Sequence, residues 1–309
     1  MDMNGILPSR RAFLTTTAAA SGIALAGCLG GSDDSDGTDD QRDDQRDTSG
    51  QNGDTDLPSE FALAGDGTEP FSNWIVPDNP IPIEAGVELV CQFDNYQETD
   101  DDWEGLNDAR DVIGEWLQVD PQVVSGELYI GPSPELEQSS GSIILGDFED
   151  SVDDIVETFE QSDEGAGITD EYGEYTIVAN YVAIGPDAIL ETTAYEEYID
   201  AYSGEGERLV ETDDDAALLF DLLPAGPRIA ISRHDDFEDL AINGETHLDL
   251  NEQLQVTRSI RAFVFEDDGD ASLDRAREIM EEGNGYEEVM ESEESGRVVM
   301  VEYEPSTTV

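Results

Sequence analysis

Four residues of this chain are of types that often carry chemistry: His234, His247, Cys28 and Cys91. His234 lies in "SRHDDFED" between an arginine and two aspartates. A histidine among carboxylates can hold a metal ion or transfer protons, although most such histidines are simply solvated. His247 falls in an expected hairpin strand, which gives it less support. We therefore predict no catalytic residue, no cofactor and no metal ligand, and leave a role for His234 open.

The known motifs that resemble parts of this chain do not match it fully. A blue-copper site needs two His, one Cys and usually a Met close together, but Cys91 lies far before both histidines. The series Glu266-x-Asp268-x-Asp270 resembles a calcium loop, yet Ala271 stands where that loop needs glycine. No Gly-x-Ser-x-Gly, His-Glu-x-x-His or glycine-rich phosphate motif occurs.

The three tryptophans are the remaining candidates for a binding surface. Trp74 lies in "FSNWIVPDN", which reads as a loop, and is the better candidate for contact with a ligand. Trp103 and Trp116 lie within an apolar periodicity typical of a helix, so we expect both in the core.

The segment "SRRAFLTTTAAASGIALAGC" joins two arginines, a short apolar run and a cysteine. The run is shorter than the roughly 20 apolar residues that span a bilayer, which favours an export signal. "SRRAFL", with Arg10 and Arg11, resembles the twin-arginine motif, and "LAGC" resembles a lipobox. The resemblance implies export by the twin-arginine translocase, cleavage after residue 27, and a lipid on Cys28 that holds the protein at the membrane.

The composition indicates the salt concentration in which this chain folds. The 309 residues include 76 Asp and Glu against 13 basic residues, all of them arginine, for a net charge of −63. Such self-repulsion opposes a compact state unless salt screens it, and at 1 M salt the Debye length is about 3 Å. Together with the signal, this resembles the secreted lipoproteins of halophilic archaea. The charge also argues against binding to nucleic acid, whose phosphates need basic partners, and against binding to an anionic membrane face.

The chain divides by composition into four parts. Residues 1–27 are the expected signal, and residues 28–57 carry Cys28 and an acidic, low-complexity linker. Residues 58–190 and 191–309 each read as strands with fewer helices. "SIILGDFEDSVDDIVETF" and "RAFVFEDDGDASLDRAREIM" match as strand, acidic turn and helix, which suggests two related halves.

The fold class that follows is α+β, with mostly antiparallel sheets and helices packed on one face. Hairpin turns are predicted at Gly185-Pro186 and at Asn243-Gly244. The part from Tyr172 onward resembles surface-protein domains of unknown function in which a hairpin, a short helix and an acidic loop recur.

These observations predict a lipid-anchored, extracytoplasmic protein with a non-enzymatic role in binding or interaction at the cell surface. Two alternatives stay open. One is the solute-binding subunit of a transporter, which would show two lobes and a cleft. The other is a secreted hydrolase with a dispersed active site, which would show a pocket holding a serine or a carboxylate of strongly shifted pKa. The sequence does not identify a ligand or a protein partner.

Salt should be a condition of folding, because the few arginines can neutralise only a small share of the carboxylates. We expect circular dichroism to show the fold in molar KCl and its loss on dialysis toward about 0.1 M salt, where the Debye length grows to about 10 Å. Acidification toward pH ~4 should partly replace salt, because it removes carboxylate charge. An unchanged melting temperature from about 0.1 M to several molar salt would contradict this reading.

Overall fold

The computed structural model describes residues 62–65, 67–77, 87–99, 103–131, 141–161, 167–234, 237–250, 256–282 and 286–306. Arg10, Arg11, Cys28 and the linker up to residue 57 lie outside the described residues. The predictions made for them stay predictions.

The strands of the described residues form one sheet in which all pairings are antiparallel. In chain order they are β1 Val87–Asn95, β2 Val124–Ile130, β3 Gly141–Gly146, β4 Ile168–Tyr172, β5 Tyr175–Val178, β6 Val182–Ile184, β7 Ala188–Glu191, β8 Arg228–His234, β9 Leu240–Leu250, β10 Val256–Phe265, β11 Tyr286–Ser295 and β12 Val298–Pro305. Their order across the sheet is β11-β12-β10-β9-β8-β1-β2-β3-β7-β6-β5-β4. The predicted α+β class with an antiparallel sheet is confirmed.

Helices connect several of these strands. They are α1 Glu69–Ser72, α2 Glu104–Leu117, α3 Val152–Gln161, α4 Tyr195–Ser203, α5 Leu209–Thr212, α6 Asp214–Leu222 and α7 Leu273–Glu282. In α2 the buried side chains of Leu106, Ala109, Ile113 and Leu117 recur at helical spacing, as the periodicity predicts. Ser272 caps α7, since its hydroxyl accepts a hydrogen bond from the amide of Arg275 at 3.2 Å.

The strand order repeats between the two halves of the sheet. The strands β1, β2 and β3 form a meander, a helix follows, and β7 then returns to pair with β3. In the other half β8, β9 and β10 form a meander, α7 follows, and β12 returns to pair with β10. The pairing of β1 with β8 joins the two sets into one sheet.

Side chains alternate between the two faces of each strand, so the sheet separates its apolar residues into distinct clusters. The shared core covers one face of both halves, where Phe71, Tyr198 and Leu219 of the connecting helices pack on strand residues such as Ile143 and Ile231.

The opposite face carries one apolar cluster per half. In the first half Ile144 packs with α2 and α3, and in the second half Phe263 packs with α7. Neither of these clusters includes a described residue of β1 or β8. The middle of this face is therefore free of the apolar packing found on either side.

The turn predicted at Asn243-Gly244 is wrong, because both residues lie inside the continuous strand β9. The Asn243 amide donates to the carbonyl of Ser232 at 3.1 Å, so its side chain is used within the sheet. Gly244 is needed for space, since a Cβ there would approach a side-chain carbon of Leu223 to 2.7 Å. The turn at Gly185-Pro186 is confirmed, and the stretch before it holds an extra turn at Ala179-Asn180 with φ near +60° at both residues.

The two edge strands of the sheet are its most acidic. In β4 the side chains of Asp170 and Glu171 are exposed, and in β11 those of Glu288, Glu291 and Glu294 are exposed. Charged side chains on an edge discourage pairing with another strand.

Candidate functional site

Two charged side chains meet where β1 pairs with β8. Asp94 and Arg228 are cross-strand partners, and both are almost fully buried. Arg228 Nε donates to Asp94 Oδ1 at 2.6 Å, and Nη2 donates to Oδ2 at 3.0 Å. This bidentate pair lies on the face opposite the shared core, because its neighbours Phe93 and Ile229 point into that core.

A buried carboxylate adjoins this pair on the side of the first half. Glu127 is the cross-strand partner of Asp94 and is 3% exposed. It accepts hydrogen bonds from Ser142 Oγ at 3.0 Å and from Tyr96 Oη at 3.2 Å. Burial raises the pKa of Glu127 to about 7, against the lowering effect of the hydroxyls of Tyr129, Ser142 and Tyr96. Asp94 adds to the rise through like-charge repulsion.

A second polar cluster adjoins the pair on the side of the other half. His247 is the cross-strand partner of Arg228, and its Nε2 lies 3.1 Å from Glu245 Oε1. Tyr303 Oη donates to the same Glu245 oxygen at 2.5 Å. Burial alone would raise the pKa of Glu245, but its interactions with His247 and Arg261 and the hydrogen bond from the Tyr303 hydroxyl lower it to about 2.

Two buried polar atoms in this cluster have no hydrogen-bond partner within the described residues. They are Nδ1 of His247 and Oγ of Ser259, and these two residues are direct cross-strand neighbours. Ser259 is 0% exposed and His247 is 6% exposed. Unpaired polar atoms at this depth are uncommon in folded proteins and point to a functional use of the region.

A second row of side chains runs beside these buried groups on the same face and is only half-buried. In order across the sheet it holds Tyr129, Gln92, Ala230, Glu245 and Arg261, each the cross-strand partner of the next. We call these five residues the polar valley, because the helical clusters of the two halves flank them. Ala230 forms its floor, since the smallest side chain of the row lies at the centre.

The polar valley mixes charges of both signs with neutral groups. Arg261 Nε and Nη2 donate to Asn243 Oδ1 at 3.2 and 2.7 Å, which fixes the guanidinium. Gln92 Nε2 donates to Asp94 Oδ1 at 3.1 Å, so the valley is tied to the buried row. Glu245 keeps 19% of its side chain exposed. Each polar group is therefore held in place while part of it faces solvent, as in preformed binding sites.

The cluster of Ser259, His247 and Glu245 contains the residue types of a nucleophilic triad. The carboxylate holds the imidazole through Nε2, and the serine lies on the neighbouring strand. The serine hydroxyl is, however, fully enclosed, so a substrate cannot reach it in this arrangement. The geometry supports binding at the accessible row better than chemistry at the buried one.

The residues singled out by the sequence lie mostly elsewhere. His234 ends β8, and the two aspartates after it lie outside the described residues, so their cluster stays a prediction. The prediction that Trp74 contacts a ligand is wrong. Its side chain is 2% exposed and stacks on Tyr202, with the ring centroids 4.1 Å apart. Its loop follows α1 and folds into the shared core, which leaves no ring surface for a ligand.

Trp103 lies in the core, as expected, and Trp116 is half-buried against the same cluster. Cys91 is also a core residue. Trp103 is buried just before α2, and Trp116 packs edge-to-face on Phe159 at 5.2 Å. Cys91 is 1% exposed, and burial raises the pKa of its thiol to about 12, against a smaller lowering effect of the Ile231 backbone. A thiol in this state is structural rather than reactive.

Reasoning from sequence missed the site, although a signal for it exists. In β1 the polar Gln92 and Asp94 alternate with apolar residues, and in β9 Glu245 and His247 lie two residues apart, on the same face of the strand. Such alternation usually marks a solvated face. The pairing register places the polar positions of several strands side by side, and only this brings them together in one site.

Among the described residues, no group of three or more His, Cys, Asp and Glu side chains is placed to hold a metal ion. Nor does any helix in the described part of the chain have the length and apolar character to cross a bilayer.

No protein-family model, no curated protein and no solved structure matches the chain. Function must therefore be argued from the site itself.

Replacing Glu127 by glutamine should stabilise the fold at alkaline pH. The pKa of Glu127 is raised above its unfolded value, so its contribution is fully present below pH ~4.5 and is lost as pH rises through about 7. Glu127→Gln keeps the shape without ionising and should gain stability over wild type from pH ~4.5 upward. The gain should level off above pH ~7 at about 3 kcal/mol.

Urea unfolding in molar salt across this pH range measures the effect. Glu98→Gln, at an exposed position, controls for the loss of one negative charge. A stability difference that does not change with pH would show that Glu127 ionises normally in the fold.

Proposed function

We propose that this chain is a lipid-anchored protein on the outer face of a halophile's cell membrane, with a non-enzymatic role in binding or interaction. Arg10 and Arg11 would direct it to the twin-arginine translocase, and the lipid on Cys28 would supply its contact with the membrane. The acidic linker up to residue 57 would extend away from the membrane by self-repulsion and carry the folded part outward.

The observation that carries the binding role is the polar valley. Five side chains from five adjacent strands lie in one row across both halves and are partly exposed. Gln92 and Glu245 are held by residues of the buried row, and Arg261 is held by Asn243. Fixed, half-buried polar groups between two apolar clusters suit selective binding, because few of them must be ordered when a ligand arrives.

The two alternatives receive less support. A transporter's binding subunit closes two lobes about a hinge, whereas here β1 and β8 pair along seven residue positions and share a buried ion pair. A hydrolase is supported by the residue types of Ser259, His247 and Glu245, but the enclosure of Ser259 argues against it. The binding role therefore fits these observations best.

Cys28→Ser should abolish anchoring. We expect the variant to appear in the medium or to accumulate as uncleaved precursor, because serine has no thiol for the lipid. Fractionation of cells followed by immunoblotting of the full chain measures this, with Cys91→Ser as the matched cysteine control. A Cys28→Ser protein that stays membrane-bound at the mature size would contradict the anchor.

The binding role predicts a ligand whose effect depends on the valley. A thermal-shift screen of sugars, amino acids, ions and peptides in molar salt should find a compound that raises the melting temperature by about 5 °C or more near 100 times its Kd. Ala230→Leu, which fills the valley floor, should remove the shift. If every compound that shifts wild type shifts Ala230→Leu equally, the valley is not the binding site.

A further inference from the structure

The accessible end of the polar valley places hydrogen-bond acceptors and donors side by side. Glu245 and Arg261 are direct cross-strand partners on β9 and β10. Both hydrogen bonds that Glu245 receives from His247 and Tyr303 fall on Oε1, so Oε2 accepts none from the described residues. Arg261 has five N–H donors, and its bonds to Asn243 and Tyr303 leave some of them uncommitted among the described residues.

This pairing disfavours a simple ion as the ligand. An anion drawn to Arg261 would meet the Glu245 carboxylate beside it, and a cation drawn to Glu245 would meet the guanidinium. Two neighbouring hydroxyls on one ligand match the pair better, since one can donate to the carboxylate while the other accepts from the guanidinium. Charge attraction is also screened within about 3 Å in molar salt, whereas short hydrogen bonds and ring contacts persist.

The rest of the valley is uncharged and long. Gln92 donates to Asp94, and its Oε1 accepts nothing from the described residues. At the far end lies Tyr129, which is half-buried and whose hydroxyl is hydrogen-bonded to Glu127. Four strand spacings of about 4.8 Å separate Tyr129 from Arg261, which gives a row of about 19 Å. A ligand that fills it must be extended, neutral in its middle, and able to lay an apolar face on an aromatic ring.

We propose that the polar valley binds a linear, neutral oligosaccharide that lies across the strands β2, β1, β8, β9 and β10. Vicinal hydroxyls of one sugar unit contact Glu245 Oε2 and the free donors of Arg261. A further unit hydrogen-bonds to Gln92 above Ala230, and the last stacks its C–H face on Tyr129. This inference rests on the proposed binding role and names the class of ligand.

The unpartnered atoms behind the valley agree with a built site. His247 Nδ1 and Ser259 Oγ lie one residue row behind Glu245 and Arg261 and are nine-tenths or more buried. The Nε2 atom of the same His247 ring contacts Glu245. A ligand that binds the Glu245 carboxylate would therefore lie one residue away from the imidazole that carries the unpaired Nδ1.

Calorimetric titration in about 2 M NaCl tests the proposal with the full chain. The probes are cellotetraose, maltotetraose and mannotetraose, compared with glycine, lysine and tetraalanine. We expect at least one tetrasaccharide to bind wild type, and both Arg261→Gln and Ala230→Leu to weaken that binding about tenfold or more. The control is Arg258→Gln, on the same strand but on the opposite face and 44% exposed, which should bind as wild type does.

The outcomes separate the ligand class from the binding role. If glycine, lysine or tetraalanine binds with this pattern of variants and no tetrasaccharide does, the class is wrong and the valley remains the binding site. If a tetrasaccharide binds all variants equally, the site lies elsewhere and the proposal falls. If none of the probes binds, the oligosaccharide proposal is overturned, and the wider compound screen with Ala230→Leu decides the binding role.

Discussion

The buried ion pair between Asp94 and Arg228 constrains the rest of this structure. Both charges are removed from water at the junction of the two halves, and each is satisfied mainly by the other. Loss of one partner leaves an unpaired buried charge, which costs about 3–5 kcal/mol. The register between β1 and β8 is thereby fixed, because a slip by one residue would send both charges to the apolar face. The alignment of the polar residues of the first half with those of the second depends on that register.

Other arginines also form ion pairs that join separate elements of the fold. Arg233 pairs with Asp213, the residue that also caps α6, at 2.6 Å. Arg275 on α7 pairs with Asp239, just before β9, at 2.5 Å. Arg297 pairs with Asp215 in the first turn of α6. Arg275 makes a bidentate bond to Asp239, whereas Arg233 and Arg297 each contact a carboxylate of α6 or its cap and also donate to a strand carbonyl. In a chain without lysine, the several fixed N–H donors of arginine thus join helix ends to the sheet.

The sequence predicts the ordered core of this fold well and its margins poorly. Apolar alternation identifies the central strands, and helical spacing identifies α2, α3 and α7, because burial imposes those periods. The edge strands β4 and β11 escaped prediction, since their exposed carboxylates look like acidic linker. Asn243-Gly244 was misleading for the opposite reason: contacts made across the sheet outweighed a strong local turn preference.

The candidate site lay beyond sequence reasoning because no segment contains it. Its five valley residues come from five strands separated by up to 169 positions along the chain, from Gln92 to Arg261. His234 drew attention through two adjacent aspartates, whereas Arg228 and Ser259 become neighbours of His247 only through the pairing of β9 with β8 and β10. A short stretch of sequence shows which residues are neighbours along the chain. The valley residues are neighbours only across paired strands of the sheet.

The acidic edge strands also bear on self-assembly. Among the described residues, each edge strand has one side without a partner strand, and at about 1 M salt repulsion between charges is screened beyond roughly 3 Å. Two copies that met along β11 would place exposed glutamates opposite one another about 5 Å apart, little beyond the screening distance. Repulsion then acts at the moment of contact, where fibre growth would begin. Charged edge strands of this kind therefore disfavour edge-to-edge growth even where salt screens charges at longer range.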